Sequence, residues 1–361
     1  LAGEVKMIRI ITFLSTFLVF SFGSAYADPK KVGFIYIGPP GDHGWTYMHD
    51  VGRKYMESQL GDSITTTYLE NIPENADAVR AIRKLADSGH DLIFTTSFNY
   101  MDQTHEVAKD FPDIKFEHAT GYIQADNVAT YSARFYEGRM IEGHIAGHMT
   151  ETNTIGYIAS FPIPEVVRGI NAFYLAAAKV NPDIKMKIIW VFTWYDPGKE
   201  ADAANTLINQ GADIIVQHTD TYAPCQAAQK AGVYAFGQAS NQEEFCPDAH
   251  LTSIEDIWGP YYAARAKAVV DGTWSSGDTW DGMDKGMVVM SPYNNKLMPA
   301  SLIQEAVNME VGIKDGTIHP FTGPIYNQAG ELVVPEGEVA PDGMLLGMNF
   351  YVQGIDGEVP Q

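Results

Sequence analysis

Apolar positions in this chain fall in short continuous runs separated by stretches of helical period. Lys31 to Ile37 reads as a strand, and Asp91 to Thr96 (Asp-Leu-Ile-Phe-Thr-Thr) as a second. Ile155–Ala159, Lys187–Phe192, Asp213–Val216 and Val233–Phe236 repeat the pattern. Between the runs, Tyr47–Leu60 is helical in pattern. Asn75–Ser88 sets Val79, Ile82, Leu85 and Ala86 on one helical face. Strands that are apolar along their whole length are buried on both faces. Their alternation with helices predicts α/β architecture with parallel sheets flanked by helices. Toward the C-terminus, Pro320–Val334 reads as a hairpin with Asn327–Gly330 as its turn, and Met344–Gln353 as a further strand.

An internal repeat predicts two lobes. Arg83-Lys-Leu-Ala-Asp-Ser-Gly-His-Asp-Leu-Ile resembles Asn205-Thr-Leu-Ile-Asn-Gln-Gly-Ala-Asp-Ile-Ile, so Gly89 maps to Gly211 and Asp91 to Asp213. Gly33-Phe-Ile-Tyr matches Gly156-Tyr-Ile-Ala at nearly the same separation. Two α/β sheets facing each other leave a cleft at the carboxyl ends of their strands, where such sheets bind ligands.

The N-terminus carries an export signature. Arg9 follows Met7, Ile10–Phe22 is a short apolar run, and Ala25-Tyr26-Ala27 is a small-x-small cleavage pattern. The run is too short for a membrane span. Residues 1–27 are therefore read as a signal peptide with residues upstream of its start. Asp28 begins the exported chain, and no Cys stands there to carry a lipid, so the expected location is periplasmic and not lipid-anchored. The composition is globular, at 45% hydrophobic and 19% charged, and 361 residues suffice for two compact units. A net charge of −21 sets the chain against phosphate and excludes nucleic acid as its partner. Cys225 and Cys246 either pair, closing a loop of about twenty residues, or stand as two buried thiols.

The loops after the predicted strands are rich in aromatics: Trp45, Phe98, Tyr100, Phe161, Trp194, Tyr195 and Tyr222. One such residue is ordinary packing; a set at strand ends predicts a grip on a flat ring, worth about 1–3 kcal/mol per stacked base. Asp42, Asn99, Asp196, Asp220, Gln238, Ser240 and Asn241 share these loops and offer donors and acceptors to the edge of a heterocycle. Asp196-Pro197 is instead read as a helix N-cap followed by the first helical residue. The glycines and prolines of Gly38–Gly44 shape a turn. No phosphate-binding loop and no nucleophile elbow occurs. His144 and His148 have metal-ligand spacing, but Ile145 stands where a zinc protease needs Glu, and no metal site is expected.

Several loop stretches, in this order, resemble the basic membrane protein family of ABC-transporter substrate-binding proteins, whose best-described members are purine nucleoside receptors. They are Gly-Asp-His-Gly-Trp (41–45), Ile-Phe-Thr-Thr-Ser-Phe (93–98), Phe-Pro-Asp-Ile-Lys-Phe (111–116), Ile-Gly-Tyr-Ile-Ala-Ser-Phe-Pro-Ile-Pro (155–164), Trp-Tyr-Asp-Pro (194–197) and Gln-Gly-Ala-Asp-Ile-Ile (210–215). The resemblance implies a two-lobed periplasmic binding protein of type I, with three hinge crossings, here placed near 146–153, 252–257 and 288–293. The first lobe is then 28–148 with 254–290, the second 149–253 with 291–361.

The same resemblance puts Trp45 at a base-stacking position, Trp194 at a second aromatic one, Phe161 at an apolar one and Phe98 at the aromatic after the second strand. It also implies closure on a ligand and delivery to an inner-membrane ABC permease, by a monomer without cofactor or catalytic residue. The family's nucleoside receptors carry a Gly-Val-Asp-x-Asp-Gln stretch whose acid holds ribose. Here that run is Gly237-Gln238-Ala239-Ser240-Asn241-Gln242, and Asp256 stands where a Lys is expected. Ribose hydroxyls would lose partners on closure. The expected ligand is thus a free purine base or similar flat heterocycle, met by Trp45, Phe98, Asn99, Phe161, Trp194, Asp220, Gln238 and Asp256. A nucleoside receptor and a sensory ligand-presenting protein are the alternatives within this fold. An exported nucleoside hydrolase is the alternative in another class.

Overall fold

The computed structural model describes residues 28–361; the signal-peptide reading of 1–27 lies outside them. In chain order come β1 (Lys30–Ile35), α1 (Trp45–Leu60), β2 (Ile64–Leu69), α2 (Ala76–Asp87), β3 (Leu92–Thr95), α3 (Met101–Ala108), β4 (Lys115–Ala119) and β5 (Val128–Ala133). Next are α4 (Tyr136–Met149), β6 (Thr154–Ala159), α5 (Pro164–Val180), β7 (Lys185–Trp190), α6 (Pro197–Asn209), β8 (Ile214–His218), α7 (Ala223–Ala231), β9 (Tyr234–Gly237) and β10 (His250–Asp256). The chain ends with α8 (Gly259–Asp271), β11 (Asp278–Asp281), β12 (Val288–Met290), α9 (Ala300–Lys314), β13 (Ile325–Tyr326), β14 (Leu332–Val334) and α10 (Asp342–Leu346).

Two six-stranded sheets result. The first has the order β11-β5-β4-β3-β1-β2 and is parallel throughout. The second has the order β12-β10-β9-β8-β6-β7 and is parallel except where β12 runs against β10. The central strands are buried end to end: Leu92–Thr95 and Ile214–His218 have no exposed residue. That burial on both faces is what their unbroken apolar runs require.

Each sheet begins with the same β-α-β order, in keeping with the repeat. Gly33 and Gly156 occupy equivalent places on β1 and β6, where a Cβ would lie 2.7 Å from Leu85 and 2.8 Å from Leu207 of the covering helices. Gly89 and Gly211 both take positive φ at the helix-to-strand joins. Asp91 and Asp213 serve alike there. Asp91 accepts from the Lys31 amide, and Asp213 from the amides of Glu151 and Thr152.

The chain passes between the sheets three times, the second time close to the expected 252–257 and the other two times earlier than expected. α4, expected in the first lobe, packs along α5 and α9 of the second. Gly143 and Gly147 allow this, because a Cβ there would lie 2.1 Å from the Phe173 carbonyl and 2.8 Å from that of Ala177. The first crossing therefore precedes α4, between β5 and Tyr136. The second follows β10, since α8 returns to pack on α1. The third lies between β11 in the first sheet and β12 in the second.

The hairpin is present as β13 and β14, with Gly330 donating to the Asn327 carbonyl at its turn. The strand expected at 344–353 is not: Met344 lies in α10, and only Val352 bridges to Asn327. Cys225 and Cys246 are paired, with Cα atoms 5.8 Å apart, tying α7 to the segment before β10. No helix among the described residues is long and apolar enough to cross a membrane.

Candidate functional site

The carboxyl ends of β1, β3 and β4 face those of β6, β8 and β9 across a narrow cleft. Its walls are Ile37, Trp45, Ser97, Phe98 and Thr120 from the first lobe. From the second come Glu165, Trp194, His218, Asp220 and Gln238. The space they enclose is only about 20 Å³, on the order of one water. At Phe98, Thr120 and Glu165 it adjoins a wider hollow of about 580 Å³, lined also by Tyr122, Arg168 and Trp280. A flat ring enters the inner space only as the lobes part.

The aromatic walls are fixed by their polar handles. Trp45 opens α1, and its indole donates to the Thr96 carbonyl at 2.7 Å. The ring stands edge-on to His49, Phe135 and Trp258, so one face is left toward the cleft. Asp42 sets the start of α1 by accepting from the amides of Gly44, Thr46 and Tyr47. This acid, read as able to meet a ligand, serves a helix end. Trp194 donates across the cleft to Glu74 of the first lobe at 3.3 Å. Glu74 also accepts from Ser97 and from the Asn99 backbone and side chain. Asn99 thus spends its amide on Glu74 and lies outside the walls. Phe161 likewise stands behind, tilted against Trp194 at 5.1 Å. Asp196 caps α6 as expected, accepting from the Lys199 amide.

The polar walls gather on the second lobe. Asp220 is buried, and its Oδ2 has no hydrogen-bond partner among the described residues. Burial, reinforced by the charges of Asp42, Glu200, Glu74 and Asp256, pushes its pKa well above the carboxylate range. Burial thus favours the protonated, neutral form of Asp220. Asp256 ends β10 behind the walls, fully buried with both carboxylate oxygens unpartnered, and burial raises it as well. His218 lies 3.3 Å from Glu165 through Nε2, and its Nδ1 is free. Burial outweighs that carboxylate and lowers its pKa, so the ring is neutral. Gln238 is held from behind by Arg139, whose guanidinium also bonds Glu142 at 2.7 Å and the Gln217 carbonyl at 2.7 Å.

The sequence singled out Trp45, Phe98, Trp194, Asp220 and Gln238, and the fold brings all five to one cavity. It missed Glu165, His218, Ser97, Thr120 and Ile37, and the Glu74 tie between lobes. His218 and Ser97 fall within strand-end loops whose aromatic and acidic residues carry the stronger sequence signal. Glu165 is one residue beyond such a loop, where an acid in a helix's first turn is ordinary.

Comparison with known proteins agrees with this architecture. The family model of PnrA-like ABC-transporter substrate-binding proteins matches residues 29–322. The chain belongs to this family. Among substrate-binding relatives, a purine-binding protein of Brucella abortus is 57% identical over 340 residues, covering 94% of this chain and 97% of that one. A Haloferax volcanii protein named for glucose binding by an ABC transporter is 35% identical, covering 94% and 83%. An ABC-transporter solute-binding protein from Aeropyrum pernix shares the fold at a TM-score of 0.70 and 19% identity, over 81% of this chain and 93% of that one. As a substrate-binding protein of this family, the chain takes a small molecule between its lobes for a transporter. The cleft just described is the place the fold provides.

Proposed function

We propose that this protein is the receptor of an ABC importer for a purine base, stacked on Trp45 and Trp194 and read at its edge by Asp220. The observation that carries this reading is the pairing of aromatic walls with a buried carboxyl that has an unused oxygen. A neutral carboxyl presents one O–H donor beside one carbonyl acceptor. The adenine edge presents an amine donor beside a ring-nitrogen acceptor, so the two are complementary. The high identity to the Brucella purine-binding protein supports the same ligand class.

A base is preferred over its nucleoside because the stretch that would meet ribose is committed elsewhere. Gln238 bonds Arg139, Ser240 donates to the His43 carbonyl, and Gln242 donates to the same carbonyl at 3.3 Å. Asn241 accepts from the Glu243 amide. A sugar is the second reading, favoured by the Haloferax relative and by the carboxylates near the rings. The protein works outside the inner membrane, delivered there by the segment read as a signal peptide, and meets its permease as a monomer.

The test is thermal stability of ligand-stripped protein with adenine, guanine, hypoxanthine, their nucleosides and glucose. A ligand bound only by the folded form adds about 2.7 kcal/mol at a hundredfold excess over Kd. A large shift with a base and little with its nucleoside or with glucose is expected. A larger shift with nucleosides overturns the base assignment, and one with glucose alone overturns the purine.

A further inference from the structure

A second binding site lies away from the cleft, on the outer face of the second lobe. His144 and His148 stand one turn apart on α4, with ring centroids 4.8 Å apart. Glu305 reaches them from α9, across 161 residues of sequence. Its Oε2 is 2.9 Å from His144 Nε2 and 3.6 Å from His148 Nε2. The three side chains each offer one ligand atom within 4.8 Å of the others.

Those distances fit a transition metal. Zinc takes histidine nitrogen and carboxylate oxygen at about 2.0–2.2 Å in tetrahedral array. Such bonds hold neighbouring ligand atoms roughly 3.3 Å apart, and 2.9 and 3.6 Å bracket that separation. The donor set, two imidazoles and one carboxylate with a position left for water, is one that zinc favours. The ligands also come from rigid supports. Gly143 and Gly147 press α4 onto α5, and Leu302 and Ala306, on either side of Glu305, are buried. The two helices thus fix the backbones that carry the donors, while the side chains of His148 and Glu305, 41% and 50% exposed, are free to adjust to an ion.

We propose that His144, His148 and Glu305 form a zinc site that fastens α4 to α9. These helices lie on either side of the third crossing in sequence, so the ion staples the C-terminal return of the second lobe to the helix that opens it. The sequence alone lacked the third ligand: Ile145 occupies the place of a protease glutamate, and Glu305 enters only through the fold.

The test uses untagged, chelator-treated protein and Zn²⁺ alone. Calorimetry is expected to give one zinc per chain, and zinc to raise the melting temperature. His148→Ala and Glu305→Gln are each expected to weaken zinc at least tenfold while melting like the parent without metal. Mg²⁺, which prefers oxygen ligands, is expected to give no shift. No zinc uptake, or equal uptake by the parent and both variants, overturns the proposal. The purine panel is independent of it: its shifts are expected to be unchanged in both variants, so failure of one reading leaves the other standing.

Discussion

Gly44, at the start of α1 in the first lobe, lies directly against the Asp220 carbonyl of the second. A Cβ on Gly44 would stand 2.0 Å from that oxygen, well inside van der Waals contact. The closed arrangement therefore depends on a missing side chain. Gly44→Ala is expected to hold the lobes apart, leaving melting of the ligand-free protein nearly unchanged and weakening the ligand at least tenfold. Small-angle scattering that shows the variant closing as tightly as the parent would sink this account.

On the proposed reading, Trp45 and Trp194 carry the stacking. Replacement of either by Ala is expected to cost about 1–3 kcal/mol of binding, roughly a fivefold to 150-fold loss by calorimetry. Trp194→Phe keeps a ring but loses the bond to Glu74, so it is expected to fall between parent and Ala. Equal affinity in the parent and the double Ala variant would remove the sandwich.

If Asp220 reads the base edge as proposed, the site has a pH signature. While it is neutral, adenine binding is expected to be flat; as the carboxyl ionises at higher pH, the O–H donor is lost and affinity falls. Guanine, with two adjacent N–H donors, is expected to show the opposite trend. Asp220→Asn keeps one donor and one acceptor, and is expected to retain adenine binding while abolishing its pH dependence. A parent profile that is flat from pH 5 to 9 would count against this role.

Fold stability has its own dependence. Burial raises Asp42 to about 6 and Glu137 and Glu142 to about 7. Groups raised on folding stabilise fully below their unfolded values, near 4, and the contribution is lost as pH climbs through 6 and 7. Asp50 and Asp342, lowered overall by their Arg and Lys partners despite partial burial, act oppositely, and their contribution is lost only in acid. Ligand-free protein is expected to melt higher at pH 5 than at pH 8. The reverse order would show that these carboxyls are not the controlling groups.

The buried pair Arg139 and Glu142 lies under Gln238, with both side chains fully buried. Arg139→Ala leaves Glu142, Gln238 and the Gln217 carbonyl without their shared partner and is expected to cost about 3–5 kcal/mol, read as a large fall in denaturant midpoint. A loss under about 1 kcal/mol would mean that water replaces the guanidinium.

How far the sequence foretold this molecule depended on what its strands are made of. β1, β3, β6, β8 and β9 are dominated by apolar residues and were legible. β2, β4, β5 and β10 were not, because polar residues interrupt their runs. Glu117 on β4 is fully buried yet held by Arg265, Tyr261 at 2.7 Å and Trp274 at 2.6 Å, partners more than a hundred residues away. Thr95 on β3 and His118 on β4 share a bond at 3.0 Å inside the first sheet. A hydrophobic-run rule cannot see such compensation. The same limit governed the site: ring-bearing loops were visible one by one, whereas Glu165 facing His218 and Glu74 reaching Trp194 are contacts made only by folding.

The three crossings also set an order of assembly. β11, the edge strand of the first sheet, is made after the second sheet has received five of its six strands. α8, which covers α1, is equally late. As the chain is synthesised from its N-terminus, the first lobe waits with an open edge and an uncovered helix while the second fills in. The two lobes are therefore expected to mature together, and a chain cut anywhere before residue 278 leaves neither able to finish alone.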